Sequence, residues 1–196
     1  MFALVNKSDN SITRMLSGNK GITIGDNQYP RAIFSLWSEA ERNAINIYEV
    51  TIDNSKKKDE KWYTNTNITY SFDGTNATGS YGDATAKAHA DTTWTQQQID
   101  DGDAPDGADT DTVAVEGLKT RLIRTVKAQA EGELNRTDWY ITRKAEKNTA
   151  IPSAITTHRD AVRSKQDSMC TAITNASDTP ALETLYTYTV QEDGTT

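Results

Sequence analysis

The sequence predicts an α+β protein with a small antiparallel β-rich N-terminal domain, an acidic linker and a C-terminal antiparallel helical hairpin that ends in a short helix. Three observations indicate this fold class. Short apolar runs alternate with turn residues up to residue 99, six aspartates and no base occupy residues 100–111, and apolar residues recur every three or four positions from residue 113. We therefore expect a β-rich domain at 1–99, a linker at 100–112 and a helical module at 113–196.

The first half of the N-terminal domain carries strand, turn and capping signals. Apolar runs at 2–5 and 12–16, separated by polar turn residues, predict a β-hairpin, and a further strand and turn are expected at 21–27. A serine followed three residues later by a glutamate forms a capping box, which predicts a short helix near 38–45. The isoleucines, valine and tyrosine of 45–52 then indicate a strand.

The second half of this domain, from residue 62 to residue 85, alternates aromatic and β-branched residues with polar ones. Glycine-bearing turns are expected at 72–74 and 79–82, and a small antiparallel sheet is the simplest arrangement of the strands between them. The segment 92–99 fits either a short strand or a helical turn.

The segment 100–111 concentrates the charge of the chain. Its six aspartates account for −6 of the net charge of −7, and its two glycines and one proline disfavour regular structure. A calcium loop of the EF-hand type is the alternative, but the spacing does not fit, because Pro105 stands at a ligand position and Asp106 where the loop requires glycine. We therefore interpret the segment as a solvated linker.

The C-terminal module shows helical periodicity. The recurrence of apolar residues over 113–134 predicts an amphipathic helix. A second helix is expected to begin after Pro152 with Ser153 as its N-cap, and it carries a heptad-spaced seam that suits packing within the hairpin or between subunits: Ile155, Val162 and Met169. A short terminal helix is expected at 180–188, and the intervening residues 135–152 should fold back over the helix pair.

The composition offers little material for catalysis. The chain has 196 residues, one cysteine and two histidines, which excludes an intramolecular disulfide framework and a multi-cysteine zinc site. Cys170 and His158 would stand roughly three helical turns apart, so they cannot form a nucleophile–base pair. We expect no enzyme activity, no cofactor and no metal.

Membrane and nucleic-acid partners are also not expected. No apolar window is long enough to span a membrane, and no signal peptide opens the sequence, so we expect a chain that is soluble and not exported. Residues 113–175 carry eleven bases and seven acids, a balance of +4, which is too modest for a typical phosphate-binding surface.

One stretch carries a family resemblance. The residues LNRTDWYITRKAE at 134–146, followed by Ile151-Pro152 and by HRDAVR at 158–163, resemble the C-terminal module of tailed-phage tail and tail-fibre assembly chaperones. Residues 28–50 are similar to the small N-terminal domain found with this module in marine phages, although Asn46 stands where relatives often have glycine and His158 where the module has tyrosine.

The resemblance implies a non-enzymatic bacteriophage tail protein. Such a protein binds another tail component (fibre, baseplate or tube), either as an assembly factor or as a minor structural subunit of the virion. It would therefore be found in the virion tail, or in the host cytoplasm during assembly. Because tail parts follow rotational symmetry, we also expect a homo-oligomer.

Several residues of the helical module are expected to carry its structure or its partner contacts. Trp139 should be buried between the two helices and lock the hairpin, and Thr137 or Asp138 should cap the following turn. Arg159 and Arg163 are expected to pair with Asp138 or Glu146. The candidate partner-binding residues are Trp139, Tyr140, Arg159, Arg163, Ile155, Val162 and Met169.

Two other classes of function stay open at this point. A receptor- or glycan-binding module would present the aromatic side chains of the β-rich domain: Trp62, Tyr63, Tyr70, Phe72 and Tyr81. A wall hydrolase would need paired acids or a metal site, and the sequence offers no such set.

Overall fold

A computed structural model describes residues 1–187, and it confirms the α+β class. The chain divides into two compact units, Met1–Thr85 and Ala86–Thr196. This division differs from the predicted boundary at 100–112. The reason is that residues 88–93 contact the start of the first long helix, so the acidic segment is a loop inside the second unit.

The first unit is built on a five-stranded sheet. Its strands, in the sheet order β2-β1-β5-β8-β7, are Ser11–Leu16, Phe2–Asn6, Ile47–Asp53, Ala77–Ser80 and Thr69–Phe72. The unit also contains β3 (Ile22–Ile24), β4 (Asn27–Tyr29), β6 (Tyr63–Thr64), the start of β9 (Thr85–Ala86), α1 (Ile33–Leu36) and α2 (Glu39–Ala44).

The sheet has an apolar cluster on each face. Alternate residues of β1 point to opposite sides, so that Ala3 and Val5 join Tyr48 and Phe72 in one cluster. The edge strands β2 and β7 also approach each other, and the sheet therefore curls around this cluster. On the other face, Phe2 and Ile47 pack with residues from β3 and α1.

Several local predictions for this unit are confirmed. The β1–β2 hairpin pairs Phe2 with Leu16, and Ser38 caps α2 in a full capping box with Glu41. The hydrogen bond from the Ser38 hydroxyl lowers the pKa of the Glu41 carboxyl, because it stabilises the charged form.

The predicted antiparallel character of the sheet is confirmed, and two details differ. One pair of strands, β5 and β8, runs parallel, with Val50 beside Ala77. The turn at 73–76, where the Asp73 carboxylate accepts the Thr75 and Asn76 amides, reverses β7 into β8 and brings β8 beside β5 in that direction. Gly79 lies within β8 and not in a turn. Glycine suits this strand position because the Tyr70 ring occupies the space that a side chain would need.

The second unit is mostly helical. Its strands are β10 (Thr92–Thr93) and β11 (Val113–Val115), and its helices are α3 (Gln96–Asp100), α4 (Leu118–Asn135), α5 (Asp138–Lys147), α6 (Ser153–Asn175) and α7 (Thr179–Leu185). The segment 92–99 thus contains both of the alternatives, a strand followed by a helical turn. The acidic loop lies between β10 and β11, which pair antiparallel.

The long helices α4 and α6 form the predicted antiparallel hairpin. At one end Lys119 donates to the Thr174 carbonyl, and at the other end Arg159 donates to the Leu134 carbonyl. The predicted N-cap of α6 was one residue late, since Pro152 occupies the cap and Ser153 is the first helical residue. Residue 188, the predicted last residue of the terminal helix, lies outside the described residues.

The start of α4 differs from the prediction because residues 113–115 form β11. Gly117 is the N-cap and has no side chain to accept the first-turn amides. Backbone carbonyls of residues 88–89 accept two of these amides, those of residues 118 and 119. The Asp91 carboxylate completes the cap, because it accepts the Gly117 amide and the Thr120 hydroxyl, both at 2.7 Å. These hydrogen bonds, the Thr120 hydroxyl foremost, lower the pKa of the Asp91 carboxyl below its usual value.

Candidate protein-binding surface

Helix α5 is the most exposed long element of the second unit. It has ten residues and none of them is buried. The helix ends at Asn148, which adopts a left-handed conformation (φ 51°) and donates its amide to the Lys144 carbonyl. An isolated helix of this length is marginal in water, and stability normally comes from packing one of its faces.

One side of α5 carries aromatic and basic residues together. At 3.6 residues per turn, five of them fall within about 140° of the helix circumference. We call this set the α5 face: Trp139, Tyr140, Arg143, Lys144 and Lys147. Glu146 lies at the margin of the face, which therefore has a surplus of positive charge.

The rings of the α5 face stack on each other. The centroids of Trp139 and Tyr140 are 3.8 Å apart, and the Arg143 guanidinium lies 4.9 Å from the Trp139 centroid. Trp139 is 51% exposed, so the prediction that it is buried between the two long helices is wrong. The physical reason is that residues 138–147 form a helix of their own, none of whose residues is buried.

Arg159 holds the corner between α4 and α5. Its guanidinium Nη1 donates to the Leu134 carbonyl at 2.9 Å and to Thr137 Oγ1 at 2.7 Å, and it lies 2.8 Å from Asp138 Oδ1. The predicted pairing of Arg159 with Asp138 is confirmed. Because Arg159 is buried, it is a structural clamp, and the prediction that it contacts a partner directly is not supported by its position.

The other predicted contact residues lie on α6. Arg163 pairs with Asp160 on its own helix at 3.5 Å, so its predicted pairing with Asp138 or Glu146 is wrong. The heptad residues are half-buried on the helix side that also carries the buried Arg159 and Ile173: Ile155, Val162 and Met169. Since α6 packs against α4, the position of the seam is consistent with packing within the hairpin, and its use between copies stays a prediction.

Sequence reasoning missed two features of this unit. The stacking of Arg143 on Trp139 was detectable, because the two residues are four apart on a helix. The capping of α4 by Asp91 was not detectable, because the residues it joins are separated by 26 positions and lie on either side of the acidic loop.

The geometry gives no support to glycan binding by the aromatic residues of the first unit or to a metal site. Three of the five aromatic residues considered for glycan binding are buried: Trp62, Tyr63 and Phe72. Within residues 1–187, no group of three or more histidine, cysteine, aspartate or glutamate side chains is arranged to hold a metal ion. In the same part of the chain, no helix is both long and apolar enough to cross a membrane.

The fold and the α5 face together define an α+β protein whose helical unit presents an uncovered aromatic and basic helix. No protein-family model, curated protein or solved structure matches the chain at a significant level.

Proposed function

We propose that this chain is a non-enzymatic bacteriophage tail protein that binds a neighbouring tail component, such as the fibre, baseplate or tube, through the α5 face. It acts as an assembly factor or as a minor virion subunit, in the tail or in the host cytoplasm during assembly. The observation that carries the proposal is α5 itself, a helix without a buried residue in the segment that resembles the phage tail module.

The composition of the α5 face supports binding to a protein. Tryptophan, tyrosine and arginine are the residues most enriched at energetic hot spots of protein interfaces. A tryptophan side chain buries about 150–250 Å² in total, and Trp139 is half exposed. Covering its remaining ~100 Å² contributes about 2.5 kcal/mol at ~25 cal/mol/Å².

The structure also explains how the face is presented. Arg159 fixes the α4–α5 corner through three contacts, so the rings are held before a partner arrives. Preorganisation of this kind lowers the entropic cost of binding. Arg159 is thus a positioning residue, and Trp139 contacts the partner.

A mass-spectrometric inventory of purified virions from the phage that encodes the chain tests the proposal. A retained subunit appears at a defined copy number, whereas an assembly factor is absent from the particle but co-purifies with a tail component from infected cells. Absence from both samples contradicts the proposal.

Variants show whether the α5 face makes the contact. We expect Trp139→Ala to weaken co-purification by about 30-fold or more, as the loss of a hot-spot residue does. Leu36→Ala is the matched control, since Leu36 is an exposed apolar residue of the first unit. If the two substitutions weaken co-purification equally, the α5 face is not the contact surface.

A further inference from the structure

The α5 face has cations without acidic partners. Within residues 1–187, Arg143, Lys144 and Lys147 take part in none of the ion pairs, and Asp138 on the same helix is already paired with Arg159. Arg143 contacts only the ring faces of Trp139 and Tyr140 among the charged and aromatic groups described. The face therefore suits an anionic segment that also has an apolar group to cover the rings.

The acidic loop, residues 100–111, has this complementary chemistry. It contains six aspartates and no base, and Ala104-Pro105 lies at its centre between Asp103 and Asp106. Gly102 and Gly107 have left-handed φ angles of 77° and 79°, and a side chain added at either would meet nothing within 4 Å. Between these glycines, Asp103, Pro105 and Asp106 are exposed.

The hydrogen bonds within the loop involve the aspartates at its two ends and leave the central aspartates available to pair with cations. Asp100, Asp101 and Asp109 accept hydrogen bonds from Gln96, Gln97 and Thr112 respectively, which fixes both ends of the loop. Asp103 and Asp106 accept none from the described residues, and both are exposed. No loop carboxylate pairs with a base of α5 within residues 1–187.

We propose that the acidic loop of one copy of this chain binds the α5 face of a second copy. Asp103 and Asp106 pair with Arg143, Lys144 and Lys147, while Pro105 packs on the Trp139 ring, as proline segments do on aromatic grooves. The inference rests on the proposed use of the α5 face as a contact surface. It names a second copy of the chain as one occupant of that face.

The geometry of this contact sets the kind of assembly. The loop and the helix are different surfaces, so two copies can exchange loops reciprocally in a two-fold dimer, or successive copies can join head to tail in a closed ring or an open filament. Charge complementarity sets the specificity and the association rate of such a contact, and salt screens it readily because the paired groups are exposed. The assembly should therefore respond steeply to salt.

Sedimentation of the full chain as a function of concentration tests the contact. At ~0.05 M salt we expect masses above the 21.6 kDa of one chain that rise with concentration, and at ~1 M salt, where screening acts within ~3 Å, a return towards the monomer. A chain that is monomeric at all concentrations and both salt levels overturns the inference.

Charge reversal identifies the two surfaces. Asp103→Lys with Asp106→Lys, or Lys144→Glu with Lys147→Glu, should each weaken association by more than about tenfold, and the chain that combines both pairs should recover most of it. The matched control for the α5 pair, Lys127→Glu with Lys165→Glu, makes the same charge change at exposed sites on α4 and α6 and should leave association unchanged. Circular dichroism confirms that each variant is folded.

Failure of this inference is distinguishable from failure of the proposed function. If reversal on α5 has no effect on the oligomer, or if the combined variant stays dissociated, the loop-to-helix contact is wrong. The virion inventory decides the proposed function independently, because it measures the presence of the chain in the particle and not its self-association.

Discussion

Arg159 is the residue whose loss best tests how the helical unit is held together. The residue is 7% exposed, and its Nη1 atom lies between 2.7 and 2.9 Å from three oxygen atoms. Hydrogen bonds from charged donors contribute ~1.5–3 kcal/mol each, and loss of one partner of a buried ion pair costs ~3–5 kcal/mol. Because the Asp138 carboxylate is half exposed and regains water, we expect Arg159→Met to lower the free energy of unfolding by about 2–4 kcal/mol.

Urea denaturation followed by far-ultraviolet circular dichroism measures this change, since α4, α5 and α6 belong to the same unit. Arg159→Lys should fall between the wild type and Arg159→Met, because it keeps the charge but loses the planar guanidinium. The control is Arg163→Met, which removes an exposed pair with Asp160 and should cost less than about 1 kcal/mol. Equal costs for the two methionine variants would refute the proposed clamp.

Three further predictions concern other parts of the chain. Leu182→Ala should cost about 2–5 kcal/mol in thermal or urea unfolding, because this side chain of α7 is 0% exposed, and a cost below that of half-exposed Leu185→Ala would contradict the packing. Gly79→Ala should cost about 1–3 kcal/mol, since the added Cβ would lie 2.8 Å from the Tyr70 ring; unchanged stability would mean that the ring moves aside freely. The Asp91 hydrogen bonds lower its folded-state pKa below 3.8, so their stabilisation is present above that pH and is lost as the pH falls through the folded value. Asp91→Asn should therefore be less stable at neutral pH and show a shallower acid transition than the wild type; parallel pH profiles would exclude this role.

Local chemistry in the sequence predicted the elements of the fold well. The capping box at Ser38 depends on residues three apart, and the β1–β2 hairpin depends on two apolar runs joined by a short polar turn. Asp138 was also one of the two acids predicted to pair with Arg159.

The features that the sequence did not predict depend on contacts between residues far apart in the chain. The parallel pairing of β5 with β8 depends on where β7 reverses, and the division near residue 85 depends on Asp91 and β10 joining the helices across the acidic loop. The exposure of Trp139 depends on the direction α5 takes at the corner that Arg159 fixes. Neither hydrophobic periodicity nor composition contains this information.

The cap that Asp91 supplies to α4 determines where the chain can be divided for separate study. A fragment that starts at residue 113 would lack the acceptor for the Gly117 amide and the strand that pairs with β11. A fragment that starts at residue 86 keeps both, together with the Lys87 carbonyl to which Thr179 donates. Shortening the acidic loop between its two anchored ends should leave the helices in place, so loop length can be varied without cutting the polypeptide.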